Sequence, residues 1–254
     1  DAVDGADFIQ VVVPGPREVE AVAFGPDGVA DTARDGAIFI QHATIDPATV
    51  RKVAEGLAEK GIRTLDAPLL RTPTHAASGT LGFPVGGEKA DLEEARELLM
   101  CCGDTIYETG EVGTGSALKL VNNMLNITIL CAACEAVTLG VKSGLKLDMM
   151  LEAFYHTPAR ARHFEMIPAT WEERDFSPGF MTLLGHKDIR LAIQHAASVS
   201  VPVNVSSAAY SLMAMTESQG FGRDSFTSVL KLIEAAAGVE VKSESGKILA
   251  EHRE

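Results

Sequence analysis

The sequence predicts an α/β protein in which an incomplete, doubly wound sheet is followed by an all-α domain. In the first half, short apolar and β-branched runs alternate with helical stretches. Strands separated by helices of this length indicate a largely parallel sheet. From Gly115 onward the pattern has long helical periods and no convincing strand. The glycines of segment 109–114 mark the boundary, so the predicted domains are residues 1–112 and 113–254.

The elements of the first half follow from periodicity and from helix and strand breakers. Segment 8–13 is apolar apart from Gln10 and ends at the Pro-Gly-Pro turn 14–16, so it is predicted as a buried strand. A helix is predicted to begin at Asp46-Pro47, because aspartate is a good N-cap and proline fits the first helical position. The other predicted strands are 37–40, 63–67, 80–85 and 105–107, and the other predicted helices are 18–24 and 90–100.

Composition and charge limit the classes of function. Of the 254 residues, 46% are hydrophobic and 22% charged, so the chain can bury a sizeable core. The formal net charge of −13 argues against nucleic-acid binding, because surfaces that hold phosphate backbones are basic. No uncharged apolar run reaches the roughly eighteen residues of a membrane span, and the chain starts with acidic residues. We therefore expect no membrane partner and a cytoplasmic location.

The four cysteines occur as two close pairs, Cys101-Cys102 and Cys131 with Cys134. Such pairs also occur in zinc and redox sites. However, the second pair lies among alanine and leucine, where cysteine acts as a small hydrophobic residue, and adjacent cysteines suit a tetrahedral site poorly. We interpret all four as packing thiols in a reducing compartment and predict no metal.

A polar stripe marks the start of the long helix predicted in the second half. It consists of Lys119, Asn122, Asn123 and Asn126, on an otherwise apolar helix. This i, i+3, i+4, i+7 spacing places the four side chains on one face. Burial lowers the pKa of a lysine and makes it a usable proton donor or acceptor, and amides bind hydroxyls and carbonyls. We predict that the stripe faces a cleft; the alternative is the solvated face of an amphipathic helix.

Four short motifs are spread over the whole chain. They are Gly113-Thr-Gly115 followed by Lys119 and Asn123, Asp66-Ala67-Pro68 with Gly79-Thr80-Leu81 downstream, Gly86-Gly87, and His186-Lys187-Asp188. Together they resemble the β-hydroxyacid dehydrogenases, which include 3-hydroxyisobutyrate dehydrogenase and tartronate semialdehyde reductase. The resemblance implies a Rossmann-like first domain. It also implies hydride transfer between NAD or NADP and a small anionic semialdehyde or 3-hydroxy acid.

The resemblance further implies roles for individual residues. Lys119 would protonate the carbonyl oxygen as the hydride arrives, and Asn123 would hold the substrate beside it. From the stripe itself, Asn122 and Asn126 are predicted to bind the substrate as well. Val13 and Pro14, in the turn Val12-Val13-Pro14, would line the nicotinamide together with Thr44. Lys187 would reach the cofactor, although the residue pattern alone would make it a surface charge.

The loop after Asp66-Ala67-Pro68 departs from the 3-hydroxyisobutyrate dehydrogenase pattern. A serine and two glycines follow in that enzyme, whereas this chain has Leu70-Arg71-Thr72-Pro73. A guanidinium binds carboxylate, sulfonate or phosphate by paired bonds, so Arg71 and Thr72 are predicted to bind an anionic substrate. The Arg-Thr pair resembles the Gly-Arg-Thr-Ser loop of sulfolactaldehyde reductases, but Leu70 and Pro73 differ from that loop. The alternative for Arg71 is an exposed loop charge.

The family's N-terminal strand, Gly-x-Gly-x-x-Gly turn and helix have no counterpart in this sequence. By comparison, roughly fifty residues of the dinucleotide fold are missing. We expect either a fragment of an intact enzyme or a truncated product. The alternative function is a non-catalytic helical assembly or small-acid-binding module. The segment from Ile127 to Leu139, rich in alanine and cysteine, favours close helix packing, so we expect a homodimer or homotetramer.

Overall fold

The computed structural model describes residues 3–245, which form two compact units. The first unit comprises residues 3–122 and 194–200, and the second comprises 123–193 and 201–245. A five-stranded sheet lies in the first unit, and the second is built from helices, which confirms the predicted fold class. The units divide within a long helix, and the predicted domain boundary at 112/113 stays a prediction.

The sheet contains all five predicted strands in sequence order. They are β1 (Phe8–Val11), β2 (Ile38–Gln41), β3 (Arg63–Asp66), β4 (Leu81–Gly86) and β5 (Gly103–Gly110). All neighbouring pairs are parallel except β3 and β4, which pair antiparallel at Asp66 and Gly86. The parallel register aligns Val11 with Gln41 and Gln41 with Asp66. The carboxyl ends of β1, β2 and β3 therefore lie side by side.

Helices cover the sheet of the first unit. They are α1 (Pro16–Phe24), α2 (Val29–Thr32), α3 (Pro47–Ala58), α4 (Pro73–Ala77) and α5 (Lys89–Met100). Phe39 of β2 packs in the cluster on the α1 and α3 side, while Ile40 packs in the cluster with α5. The predicted start of α3 is confirmed, because the Asp46 carboxylate accepts the Thr49 N–H (2.9 Å) and hydroxyl (2.7 Å). This cap satisfies a donor that the helix itself cannot pair.

The long helix α6 (Thr114–Lys142) is apolar on two faces. Its buried face contributes Ile127, Leu130, Cys131, Cys134 and Val137 to the core of the second unit. Its exposed face carries Leu118, Val121, Leu125, Ile129 and Leu139. By length and composition α6 could cross a membrane, with a mean hydropathy of 1.8 over its most apolar stretch. The core helix of a soluble protein has the same composition, and 44% of that stretch is buried inside the protein.

The second unit packs its remaining helices around a core that includes the fully buried Trp171. They are α7 (Leu147–Tyr155), α8 (His163–Met166), α9 (Pro168–Glu172), α10 (Thr182–Ser198), α11 (Asn204–Thr216) and α12 (Val229–Ala237), with a π-helical turn at Glu217–Phe221 and a 3₁₀ turn at Phe226–Ser228. The last residues of α10 belong to the first unit.

The ion pair between Arg174 and Glu234 holds the segment after α12 in place. The Arg174 guanidinium donates to both carboxylate oxygens of Glu234 (2.7 and 2.8 Å) and to the Val241 carbonyl (2.7 Å). The same carboxylate accepts the Val241 N–H. Glu234 is 5% exposed. One buried carboxylate therefore joins α12, the turn after α9 and the C-terminal segment.

The prediction of packing thiols is confirmed for one cysteine pair and wrong for the other. Cys131 and Cys134 are buried, and burial raises the pKa of the Cys131 thiol to about 12 and that of Cys134 well above its usual range. Cys101 and Cys102 are exposed, because α5 ends just before them and they form the turn into β5. Within residues 3–245, no three metal-binding side chains cluster.

Candidate active site

The first turn of α6 packs against the carboxyl ends of β3 and β4. Both carboxylate oxygens of Asp66 are bonded by Ser116, one by its backbone N–H (2.7 Å) and one by its hydroxyl (2.6 Å). Gly115 permits this close approach, because a Cβ there would lie 2.4 Å from the Asp66 carbonyl oxygen and 2.6 Å from that of Pro84. Lys119 follows Ser116 by three residues, about one helical turn.

The predicted polar stripe lies within α6, and its members differ in burial. Asn123 is buried at 6% exposure, Lys119 and Asn126 are half-buried, and Asn122 is exposed. The exposed positions between them are mostly apolar. The stripe is therefore not a uniformly solvated polar face, and its most buried member belongs to the second unit.

Asp188 of α10 orients the amide of Asn123. The Asn123 Nδ2 donates to Asp188 Oδ2 over 2.7 Å, and Asp188 is 2% exposed. An ionised carboxylate only accepts hydrogen bonds, so the amide nitrogen must face Asp188. Sequence reasoning missed this contact: the family motif contains Asp188, but the two residues are 65 positions apart.

Lys187 contacts the same carboxylate. Its Nζ lies 3.0 Å from Asp188 Oδ1, an ion pair by distance although its geometry is not that of a hydrogen bond. The side chain of Lys187 is only 18% exposed. Asp188 thus links Asn123 and Lys187 in the second unit. The predicted role of Lys187 in cofactor binding stays a prediction.

A buried histidine contacts the last asparagine of the stripe. His163 Nε2 lies 2.8 Å from Asn126 Oδ1, and burial lowers the pKa of His163 to about 4. The imidazole is therefore neutral at pH 7, and its Nε2–H donates to the amide oxygen. Trp171 Nε1 donates to the His163 carbonyl and fixes the start of α8 (3.1 Å). No local pattern in the sequence connects His163 with Asn126, 37 positions away.

The predicted nicotinamide residues follow two neighbouring strands of the first unit. Val13 and Pro14 come after β1, and Thr44 comes after β2. Because these strands pair in parallel, the three residues follow the same edge of the sheet. Thr44 and Val13 are half-buried, Pro14 is exposed, and the neighbouring Val12 is 66% exposed.

His42 lies at the same edge, directly after β2; the sequence leaves open a place near the cofactor or a loop cap for this residue. It is buried, which lowers its pKa, so the ring is neutral. Nδ1 lies 2.6 Å from the carbonyl of Ala67 and therefore carries the proton. Nε2 then has no proton and lies 3.0 Å from the side-chain amide of Gln10, whose nitrogen must face the ring in order to donate. His42 thus fixes the backbone where the predicted substrate loop leaves β3.

Arg71 of the predicted substrate loop is held by an acidic side chain. Its guanidinium donates to the Asp104 carboxylate (2.8 Å), the Thr105 hydroxyl (3.2 Å) and the Thr80 carbonyl. This contact lowers the pKa of Asp104. The backbone of Arg71 is left-handed (φ 77°), and the side chain is one-third exposed. An anionic ligand would have to share the guanidinium with Asp104 or displace it.

Thr72 of the same loop is exposed, and its hydroxyl lies 2.7 Å from Nδ1 of His75. The loop therefore has Arg71, Thr72 and His75 in neighbouring positions before and within α4. Substrate binding by Arg71 and Thr72 stays a prediction.

Comparison with known proteins supports the resemblance along the whole chain. Residues 1–110 match the family described as the NAD binding domain of 6-phosphogluconate dehydrogenase, and residues 113–233 match the NAD-binding domain of NADP-dependent 3-hydroxyisobutyrate dehydrogenase. The chain is 33% identical to 2-(hydroxymethyl)glutarate dehydrogenase of Eubacterium barkeri, over 93% of this chain and 79% of the relative. It is 30% identical to 3-sulfolactaldehyde reductase of Escherichia coli, over 95% of this chain and 81% of the relative.

A solved structure agrees with these sequence matches. The 3-hydroxyisobutyrate dehydrogenase of Mycobacterium tuberculosis, described with L-serine, is similar with a TM-score of 0.83 and 27% identity, covering 91% of this chain and 81% of that one. The curated relatives align over most of their own length, and both halves of the chain match dinucleotide-binding families. The chain therefore belongs to the β-hydroxyacid dehydrogenase family, whose cofactor is NAD or NADP.

Proposed function

We propose that this protein transfers a hydride between NAD or NADP and a small anionic semialdehyde or 3-hydroxy acid, with Lys119 as the proton donor and acceptor. The observation that carries the proposal is the placement of Lys119 and Asn123 one turn apart on α6, with the Asn123 amide fixed by Asp188 (2.7 Å). Family membership favours this enzyme function over a non-catalytic helical assembly or an acid-binding module.

The edge formed by β1 and β2 fits the nicotinamide end of the cofactor. Val12 and Pro14 offer exposed apolar surface, and Thr44 adds a hydroxyl. When bound, the cofactor supplies the hydride for reduction and accepts it for oxidation. Lys187, held beside Asp188, would add a positive charge for the cofactor phosphates.

Lys119 supplies the proton that balances the hydride. During reduction its ammonium donates a proton to the carbonyl oxygen, which would otherwise become an alkoxide. During oxidation the neutral amine removes the proton from the hydroxyl. A positioned cation also stabilises the developing negative charge on that oxygen. Asn123, whose Nδ2 donates to Asp188, would hold the substrate beside Lys119.

The substrate's anionic group would be bound by Arg71 and Thr72, with Asn122 and Asn126 lining the rest of the substrate. The guanidinium recognises carboxylate, sulfonate and phosphate alike, so it defines a class of substrate. The exposed apolar face of α6 favours a homodimer or homotetramer, because large apolar patches are rarely left in water. The cytoplasmic location stays a prediction.

Replacing Arg71 with alanine should raise KM for anionic aldehydes by roughly tenfold or more and leave KM for neutral aldehydes nearly unchanged, because a charge-assisted bond is lost. Steady-state kinetics with matched carboxylated and neutral aldehydes measures both. Arg96→Ala is the control, since the Arg96 side chain is about as exposed as that of Arg71 (36% against 33%) and is likewise paired with carboxylates, those of Glu93 and Glu108. Equal changes for both aldehydes would remove Arg71 from the site.

A reductase assay tests the function as a whole. The purified chain is titrated with NADH and NADPH by fluorescence, and oxidation of the bound cofactor is then followed with aldehydes that carry a carboxylate, a sulfonate, a phosphate or no charge. Turnover confined to the anionic aldehydes is the expected result. Saturable cofactor binding without turnover of any aldehyde would contradict the proposal.

A further inference from the structure

The carboxylate of Asp66 connects the sheet to the helix that carries Lys119. Asp66 is the last residue of β3 and has no exposed surface. Ser116 occupies both of its oxygens, through a backbone N–H (2.7 Å) and a hydroxyl (2.6 Å). The first N–H groups of a helix have no partner inside the helix, and negative charge is favourable at that end. Asp66 therefore serves as a cap provided by another element.

The contact between Asp66 and α6 leaves little freedom for the helix to shift. Gly115 lies against backbone oxygens of both β3 and β4. On the β4 side, a Cβ on Gly86 would lie 2.4 Å from the Glu111 carbonyl oxygen and 2.7 Å from the Thr114 hydroxyl. Backbone thus approaches backbone on two sides, and the two bonds to Asp66 fix the rotation of the helix about its own axis.

We infer that Asp66 is a positioning residue for Lys119: by holding the first turn of α6 through Ser116, it sets where the lysine side chain is presented. The inference rests on the proposed role of Lys119. Ser116 and Lys119 are three residues apart, so a shift of the first turn moves the lysine with it. A displacement of about 1 Å at a reacting group lowers rates by up to roughly a hundredfold.

The titration of Asp66 makes its contact with Ser116 sensitive to pH. Burial raises the pKa of Asp66 from 3.8 to about 6, against the opposing effects of the Ser116 and Gly113 donors and the positive charge of Arg51 on α3. The neighbouring Gln41 on β2 is uncharged. Above about pH 6 the carboxylate accepts both Ser116 bonds. Below it, one oxygen carries a proton and no longer accepts the hydroxyl bond in the same way.

Activity and stability should respond to this titration in opposite directions. The folded pKa lies above the unfolded value, so the folded state binds more protons between about pH 4 and 6. The contribution of Asp66 to the free energy of unfolding therefore falls as the pH rises through this window. The bonds between Ser116 and Asp66, in contrast, are strongest above this pH range, where the carboxylate is ionised. If Asp66 had a purely structural role, kcat would not fall at acidic pH.

The test compares Asp66→Asn with the wild type in two measurements. Asparagine has the same shape, so the variant should fold, but its uncharged amide forms weaker bonds to Ser116 than the ionised carboxylate does. We expect kcat to fall roughly tenfold to a hundredfold with KM for the cofactor unchanged, and the fall of kcat below about pH 6 to disappear. Hydrogen exchange of the amides of residues 116–119 should accelerate in the variant, while the other helices keep their protection.

Controls separate this inference from the proposed function. Ser116→Ala should show the same effects to a smaller extent, and Asp91→Asn should show neither, because Asp91 is a buried carboxylate of the same unit that pairs with Arg63 instead. Unchanged exchange at residues 116–119 in Asp66→Asn overturns the inference even if the enzyme is a reductase. Faster exchange with normal kcat and an unchanged pH profile also overturns it. Full activity of Lys119→Ala overturns the proposed function, and with it the positioning role.

Discussion

Replacing Lys119 with alanine should lower kcat for aldehyde reduction by roughly a hundredfold to ten-thousandfold, the usual contribution of a general acid. The methyl group of alanine can neither protonate the substrate oxygen nor stabilise its charge. Lys119 is half-buried, and α6 is held by its apolar contacts further along the helix, so the variant should fold. Initial rates with saturating cofactor and aldehyde measure kcat, and circular dichroism checks folding.

Lys142→Ala is the matched control, because Lys142 is the other lysine of α6 and lies exposed at its last residue. It should keep the wild-type rate. Partial recovery of Lys119→Ala by added small amines would support loss of a proton donor. A folded Lys119→Ala protein with a wild-type rate would show that the lysine has no part in the chemistry.

Replacing Glu234 with alanine should lower the free energy of unfolding by about 3 kcal/mol, near the lower limit for breaking a buried ion pair. The change removes the acceptor of the Val241 N–H and leaves the Arg174 guanidinium without its main partner. The estimate is at the lower limit because Arg174 keeps 21% of its side chain exposed and can be partly hydrated. Urea unfolding followed by circular dichroism measures the difference.

Glu240→Ala is the control for this effect. Glu240 lies 4.0 Å from the same arginine, but its side chain is 63% exposed. Exposed ion pairs contribute at most about 1 kcal/mol, so this variant should stay close to the wild type. Comparable losses in the two variants would mean that burial of Glu234 is not the source of its effect.

The features that the sequence predicts correctly are those with a local cause. The Asp46-Pro47 helix start is set by groups within three residues, and strands β1 and β2 each contain a short run of mostly apolar residues. The spacing of Lys119 and Asn123 on α6 follows from helical periodicity alone. Local patterns of this kind predict which elements form, and they place candidate side chains on one face.

The contacts that orient the candidate site have no local cause. Ser116 is 50 positions from Asp66, and Asp188 is 65 positions from Asn123. Such hydrogen-bonded pairs form only after the elements have packed, and no periodicity in the sequence predicts them. The exposed Cys101-Cys102 pair shows the same limit at shorter range, because its exposure depends on the residue at which α5 ends.

The exposed cysteine pair also allows the protein to be labelled at one defined position. Two thiols are accessible and two are buried with raised pKa values, so a thiol reagent distinguishes them without any substitution. The Cys102 carbonyl accepts the Leu81 N–H, at the strand end that follows the loop of Arg71. A fluorophore attached to this turn would therefore report on the environment of that loop while ligands are added.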